Sequence, residues 1–344
     1  MILPRFDVLV PESLEEALEM LGEHADKGVR ILAGGTDLLV DLRRPIIPVH
    51  VPRCDGCAKH PGGMVYSTID CELWLSEPTA HAGGSLRNAL QDSRRISPQY
   101  LISLHLLREL KGIKRLDNGS LYIGATTTIR EIAHSEKVRR CWTALAEGAD
   151  NLGSPLVRNR GTLGGNIANA RPAADMFVPT IGLNGILKLQ SLGGERLLPA
   201  RDFASGPGLT VIEPLEILTA VIYPAPLSYS GSSYYKLANR KALEISTVGV
   251  SVSLTLEAPD GPITDVRVAL GAVGPTPILA ESAKGILLGE TPDEPLFKKA
   301  AQAIRKDARP IDDHRGSAWY RSNMVQLLSE RLLKIAYIRA KRNK

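Results

Sequence analysis

LGSPLVRNRGTLGGNIANARPAAD, residues 152–175, is the stretch on which the reading of this chain turns, taken together with an earlier turn, ILAGGTDLL, at residues 31–39. Gly164 and Gly165 in the first run, and Gly34 and Gly35 in the second, carry no Cβ. The backbone there is expected to take positive φ and to bring successive N–H groups close to a phosphate. Thr162 and Asn166 would add side-chain hydrogen bonds, as would Thr36 and Asp37 in the earlier turn. Neither run is the G-x-G-x-x-G dinucleotide fingerprint or the G-x-x-x-x-G-K-[ST] phosphate loop. A single glycine pair is an ordinary turn. Two such loops in one chain can clamp a diphosphate from opposite sides.

The 344 residues allow two domains, or one large domain with an insertion, and 44% hydrophobic residues suffice for a buried core. No run reaches the roughly 18 apolar residues of a membrane span. The opening MILPRFDVLVPESLEEALEML lacks the basic start and continuous apolar centre of a signal peptide, so a cytoplasmic location is expected. A net charge of +5 and a pI near 9.0 raise the question of nucleic acid. Lysine and arginine are dispersed, however, and the basic tail RAKRNK reads as a solvated end, so no nucleic-acid partner is expected. Four cysteines in this length do not make a disulfide scaffold.

Residues 6–10 read as a strand, and Ser13 with Glu16 as a capping box for a helix whose apolar face is Leu14, Leu18, Leu21 and Ala25. Residues 29–32 form a short β-branched strand that delivers the first glycine pair at its end, where ligands sit in α/β units. After residue 98 the pattern gives strands at 100–104 and 121–123, a second capping box at Thr128 with Glu131, and a helix over 129–134. A further helix is expected over 141–151, leading into the central run. Residues 177–189 return to the core, and 220–223 form another strand. Residues 224–231 look like a linker. Beyond it, strands at 233–237, 247–256 and 263–271 precede amphipathic helices over 296–306 and 318–339. Met324, Leu327, Leu328, Leu332 and Ile335 are spaced for one buried face of the last helix. The fold expected is α+β: a two-lobed domain over residues 1–224, then a small three-stranded α+β domain over 232–340.

Residues 45–98 interrupt this pattern with five prolines before Pro98, two glycine pairs and three of the four cysteines. At roughly 50 residues the stretch is far longer than an ordinary connection and reads as an inserted loop. Cys54 and Cys57 form a C-x-x-C, with Cys71 beyond and His50, His60 and His81 nearby. Metal or cluster binding, the docking of a partner and a disordered loop are all open readings, and the absence of a fourth cysteine from the stretch favours docking over metal.

The A-G-G-T turn paired with the later R-N-x-G-T-x-G-G-N-I run resembles the FAD-binding medium subunit of the molybdenum hydroxylases. That family includes xanthine dehydrogenase, aerobic carbon monoxide dehydrogenase and 4-hydroxybenzoyl-CoA reductase. The resemblance covers residues 1–44 and 98 to the end, and implies a two-lobed FAD-binding fold of the vanillyl-alcohol-oxidase-like type. It also implies that Ile31, Leu32, Ala33, Gly34, Gly35, Thr36, Asp37 and Leu38 hold the FAD diphosphate with Thr162, Leu163, Gly164, Gly165 and Asn166. Asp175 would bond the ribose or adenine end. Leu152 falls beside the flavin nucleotide, and Leu218 and Lys236 near the isoalloxazine, where a cation would stabilise the reduced anionic flavin. The 4-hydroxybenzoyl-CoA reductase branch carries an extra [4Fe-4S] cluster, but its cysteine-rich insertion follows the Gly-Gly-Asn run, which here continues directly into IANARPAAD. The cluster is therefore not carried over to Cys54, Cys57 and Cys71.

No His-x-x-x-His or His-Glu pattern suggests a zinc hydrolase, and Ser154 and Ser205 lack the G-x-S-x-G elbow. The resemblance thus implies a subunit that transfers electrons through FAD. Its partners would be a large molybdenum-cofactor chain and a small chain with two [2Fe-2S] clusters, assembled as a dimer of heterotrimers. A free-standing FAD oxidoreductase and a non-catalytic interaction subunit are the rival readings. Little of the chain is left for the dedicated substrate domain the first would need, and the intact loops argue against the second.

Overall fold

The computed structural model describes residues 3–42 and 98–343, together with the backbone of two short strands, Val49–His50 and Met64–Val65, which pair antiparallel. That small ladder lies within the stretch read as an inserted loop. Cys54, Cys57, Cys71, His60 and His81 lie outside the described residues. No helix among the described residues is long and apolar enough to cross a membrane.

The first lobe is a parallel three-stranded sheet in which Tyr100–Ser103 lies between Asp7–Leu9 and Val29–Leu32. Helix Leu14–Glu23 joins the outer strands and buries Leu14, Ala17, Leu18 and Leu21 against Ile102, Leu104, Leu107 and Leu110. The spacing of those four is the helical repeat that makes one face apolar. Ser13 Oγ accepts from Glu16 N at 3.1 Å, but the Glu16 carboxylate accepts from Glu12 N rather than Ser13 N, so the expected capping box closes one residue early. At Thr128 the box is complete in both directions.

The second lobe is a five-stranded antiparallel sheet in the order Ile113–Arg115, Leu121–Gly124, Ile217–Tyr223, Ile186–Ser191, Gly194–Pro199. Helices between residues 129 and 182 pack on it, with Leu145, Ile167 and Phe177 meeting Leu121, Ile123, Leu187 and Val221. The helix expected over 141–151 runs Thr143–Asn151, and a separate helix not read from sequence, Glu136–Cys141, ends just before it. The break is at Trp142, whose indole N–H donates to Pro224 O at 3.1 Å and turns the chain toward the sheet.

The C-terminal sheet has four strands, not three: Ser230–Leu237, Val248–Leu256, Ile263–Gly271 and a two-residue edge, Ile278–Leu279. Helices Glu294–Asp307 and Ala318–Arg342 contribute to its core. On the last helix Leu328 and Leu332 are buried and Met324 and Ile335 half-buried, as the spacing predicts. Leu327 is 57% exposed, because the face that packs runs through Arg321, Val325, Leu328, Leu332 and Ala336. Helix Phe177–Gly182 packs against this sheet at Gly271, where a Cβ would stand 2.4 Å from Val178 Cγ2.

Candidate functional site

A cleft of about 970 Å³ opens at the carboxyl end of Val29–Leu32, and both glycine loops line it. The first loop is built to offer donors. The backbone N–H groups of Ala33, Gly34, Gly35, Thr36 and Leu38 donate to none of the described residues. Gly35 has the expected positive φ, +73°. Gly34 does not; it is needed because the loop lies directly on the end of helix Pro155–Arg160, where a Cβ would fall 2.1 Å from Arg160 O.

The second loop differs from expectation. Gly164 and Gly165 do not have positive φ but belong to a short helix, Leu163–Ala168, capped by Thr162. Their N–H groups are already committed: Leu163 N to Thr127 O, Gly164 N to Ala125 O and Gly165 N to Thr162 Oγ1, at 3.1, 2.8 and 3.2 Å. The glycines serve close packing instead. A Cβ on Gly164 would lie 2.6 Å from Ala125 Cβ, and one on Gly165 2.8 Å from Thr162 Oγ1. What this loop can present is side chain. Asn166 Oδ1 accepts from Met176 N at 3.1 Å, so its amide N–H2 is the end left to donate.

Of the residues singled out from sequence, Ile31, Ala33, Gly34, Gly35, Thr36, Asp37, Leu38, Leu152, Thr162, Gly164, Gly165, Asn166, Asp175 and Leu218 line the cleft. Leu32 and Leu163 do not, and Leu163 is fully buried in the core. The lining also includes Gly153, Gly208, Glu216, Glu244 and Ile245, which sequence reasoning missed. Gly153 and Gly208 have positive φ, and isolated glycines were the one signal available for them. Among the described residues no group of three or more His, Cys, Asp or Glu is placed to hold a metal.

Lys236 reaches the cleft wall through Asp175, with Nζ 2.6 Å from Oδ2. It also donates to Asn151 O at 3.2 Å, next to Leu152. Tyr234 and Ser246 hydroxyls donate to Asp175 Oδ1 at 3.1 and 2.8 Å. Asp175, expected at the ribose or adenine end, and Lys236, expected near the isoalloxazine, thus stand side by side in one cluster, next to Leu152. Burial pushes the Asp175 carboxyl above its ordinary value, and Lys236, Ser246 and Tyr234 draw it only part of the way back. The Tyr234 phenol is pushed well up by burial and by the Asp175 charge. On another wall, Arg196 grips Glu216 with two bonds of 2.6 and 2.7 Å and holds its carboxyl below the ordinary range.

Comparison with known proteins bears on this geometry. Residues 75–226 match the FAD binding domain in molybdopterin dehydrogenase, and residues 233–336 the CO dehydrogenase flavoprotein C-terminal domain. The first match contains the second glycine loop and not the first, and begins inside the stretch read as an insertion. The chain is similar to the putative xanthine dehydrogenase FAD-binding subunit XdhB of Escherichia coli, 30% identical over 236 residues, which are 68% of this chain and 80% of the relative. It is similar to the carbon monoxide dehydrogenase medium chain of Afipia carboxidovorans, 32% identical over 260 residues, 76% of this chain and 89% of the relative. Among solved structures it resembles a carbon monoxide dehydrogenase from Hydrogenophaga pseudoflava that lacks the Mo-pyranopterin moiety of its cofactor. The TM-score is 0.79 at 28% identity, over 98% of this chain and 99% of the other.

Proposed function

Because the chain belongs to the family of FAD-binding subunits of the molybdenum hydroxylases, we propose that its cleft holds one FAD across the two glycine loops. The chain is then the FAD-containing electron-transfer subunit of such an oxidoreductase. The observation that carries the residue assignment is the first loop. Five backbone donors without a described partner lie along the cleft, on a loop whose Gly34 packs too closely on Arg160 O to admit a Cβ. That is a cradle for a diphosphate, which needs backbone approach and N–H groups rather than a bulky charged side chain. The cleft volume lies at the upper end of the range for ligand sites, roughly 300–1,000 Å³, as a dinucleotide requires.

In this reading Ala33, Gly34, Gly35, Thr36 and Leu38 donate their N–H groups to the diphosphate, and Thr162 and Asn166 add side-chain donors from the facing loop. Leu152 and Leu218 give apolar walls for the isoalloxazine, and the Asp175–Lys236 pair fixes charge beside it. FAD supplies the redox chemistry, exchanging electrons singly or in pairs. The protein binds, orients and sets the electrostatics.

The relatives are medium chains or FAD-binding subunits, so this chain works with larger and smaller partners. We assign these as a large molybdenum-cofactor chain and a small chain with two [2Fe-2S] clusters, in a cytoplasmic dimer of heterotrimers. Gentle purification of the tagged chain from its own cell, followed by mass measurement of the intact complex, tests this. A mass for two copies of each of three chains, with molybdenum and four [2Fe-2S] clusters, is expected. A flavin-containing monomer that turns over substrate alone would contradict the assembly.

A further inference from the structure

Asp175 lies at the end of a segment that the C-terminal domain also holds by a backbone contact away from the carboxylate itself. Pro172 O, three residues before Asp175, accepts from Ala272 N at 2.8 Å. Ala272 follows the strand Ile263–Gly271 with φ of +60°, a left-handed conformation that a residue with a Cβ seldom adopts. The next support is Arg321 on the last helix. Its side chain is 5% exposed, its Nη1 donates to Ala272 O at 3.2 Å, and its Nη2 pairs with Asp313. Nε of Arg321 is buried with no partner among the described residues, so these two bonds offset the burial of the whole guanidinium.

We propose that Arg321 is a positioning residue for Asp175. By gripping the carbonyl of the strained Ala272 and the Asp313 carboxylate together, it fixes the Ala272 N–H on Pro172 O. That sets where the Asp175 carboxylate stands relative to Lys236, Tyr234 and Ser246. A second tie, Asn166 Oδ1 to Met176 N, holds the other side of Asp175 from the glycine loop. The aspartate is thus pinned once by each domain. The inference rests on the flavin reading for its consequence, and on geometry alone for the contact.

The test uses the full chain. Arg321→Met is compared with Val325→Ala, a cavity change fully buried on the same helix that makes none of these bonds. In flavin-free protein, amide exchange over residues 170–176 should quicken by roughly tenfold in Arg321→Met, the size of one charge-assisted hydrogen bond, and stay at the wild-type rate in Val325→Ala. In the FAD-loaded protein the flavin absorption bands and midpoint potential should move in Arg321→Met and not in Val325→Ala, even where both lower Tm equally. Arg321→Lys, able to reach only one acceptor, should fall between. If Arg321→Met does not fold, Asp313→Asn gives the same readout in smaller measure. Equal behaviour of the Arg321 or Asp313 and the Val325 variants in both readouts would overturn the proposal. Failure of the wild type to take up FAD would instead count against the flavin reading and leave the exchange comparison to decide this one.

Discussion

Lys236 Nζ stands 2.6 Å from Asp175 Oδ2, and the two side chains are only 6% and 8% exposed. Asp175 closes the stretch that contains the second glycine loop, whereas Lys236 lies on strand Ser230–Leu237 of the C-terminal sheet. Tyr234 and Ser246, the other donors to this carboxylate, also belong to the C-terminal part of the chain. One end of the cleft is therefore completed by residues from both matched regions.

Lys236→Met leaves Asp175 buried with two hydroxyl donors and no counter-charge, which costs about 3–5 kcal/mol when a buried pair is broken. The sign with pH follows from the carboxyl, whose folded pKa is already raised by burial and rises further without the lysine. Such a group contributes stability below its unfolded pKa and loses it as pH rises through the folded one. The deficit of Lys236→Met should be smallest in acid and grow toward neutrality, and Asp175→Asn in the same chain should flatten it. Chemical unfolding across pH measures this; a pH-independent deficit would contradict it.

The two loops were legible because their signal is local: paired glycines flanked by Thr, Asn and Asp. What each glycine does was not, because it depends on distant neighbours. Gly34 is required by Arg160, and Gly164 by Ala125, contacts that only the packed chain reveals. Likewise Asp175 and Lys236 could be picked out singly, but their pairing spans 61 residues, from a turn between helices to a strand of the C-terminal sheet. Helix Pro155–Arg160 did carry a readable start, Ser154 as N-cap followed by proline at the first helical position. The fourth strand of the last sheet, with two residues, offers no pattern to read.

A glycine series separates close approach from backbone strain. Gly34→Ala and Gly164→Ala force contacts of 2.1 and 2.6 Å and should abolish FAD retention. Gly35→Ala, at φ +73°, should cost about 1 kcal/mol of stability and weaken FAD less. Gly285→Ala, with nothing within 4 Å, should leave FAD content unchanged. Flavin content per chain reads the series directly, and equal content in Gly34→Ala and Gly285→Ala would be the contrary result.

Asn166→Asp keeps the oxygen that accepts from Met176 N but replaces the free amide donor with negative charge. Stability should hold within about 1 kcal/mol, since the buried bond survives. FAD affinity should fall at least roughly tenfold, because a carboxylate then faces the diphosphate. Unchanged affinity by fluorescence titration would remove Asn166 from the site.

Acid should act through Glu216, whose folded pKa is lowered chiefly by the hydrogen bonds from Arg196. A lowered carboxyl contributes stability above its unfolded pKa and loses it as pH falls through the folded one. Melting temperatures of wild type should therefore drop more steeply on acidification below the ordinary glutamate range than those of Glu216→Gln. Parallel curves would show that the pair contributes nothing to acid stability.

Binding of FAD in the cleft through the first loop is measured most directly by titrating the flavin-depleted chain with FAD. One FAD per chain, with restored oxidised-flavin absorption in wild type and none in Gly34→Ala, is the predicted result. A wild-type chain that takes up no FAD, and carries none when isolated with its partners, would contradict it.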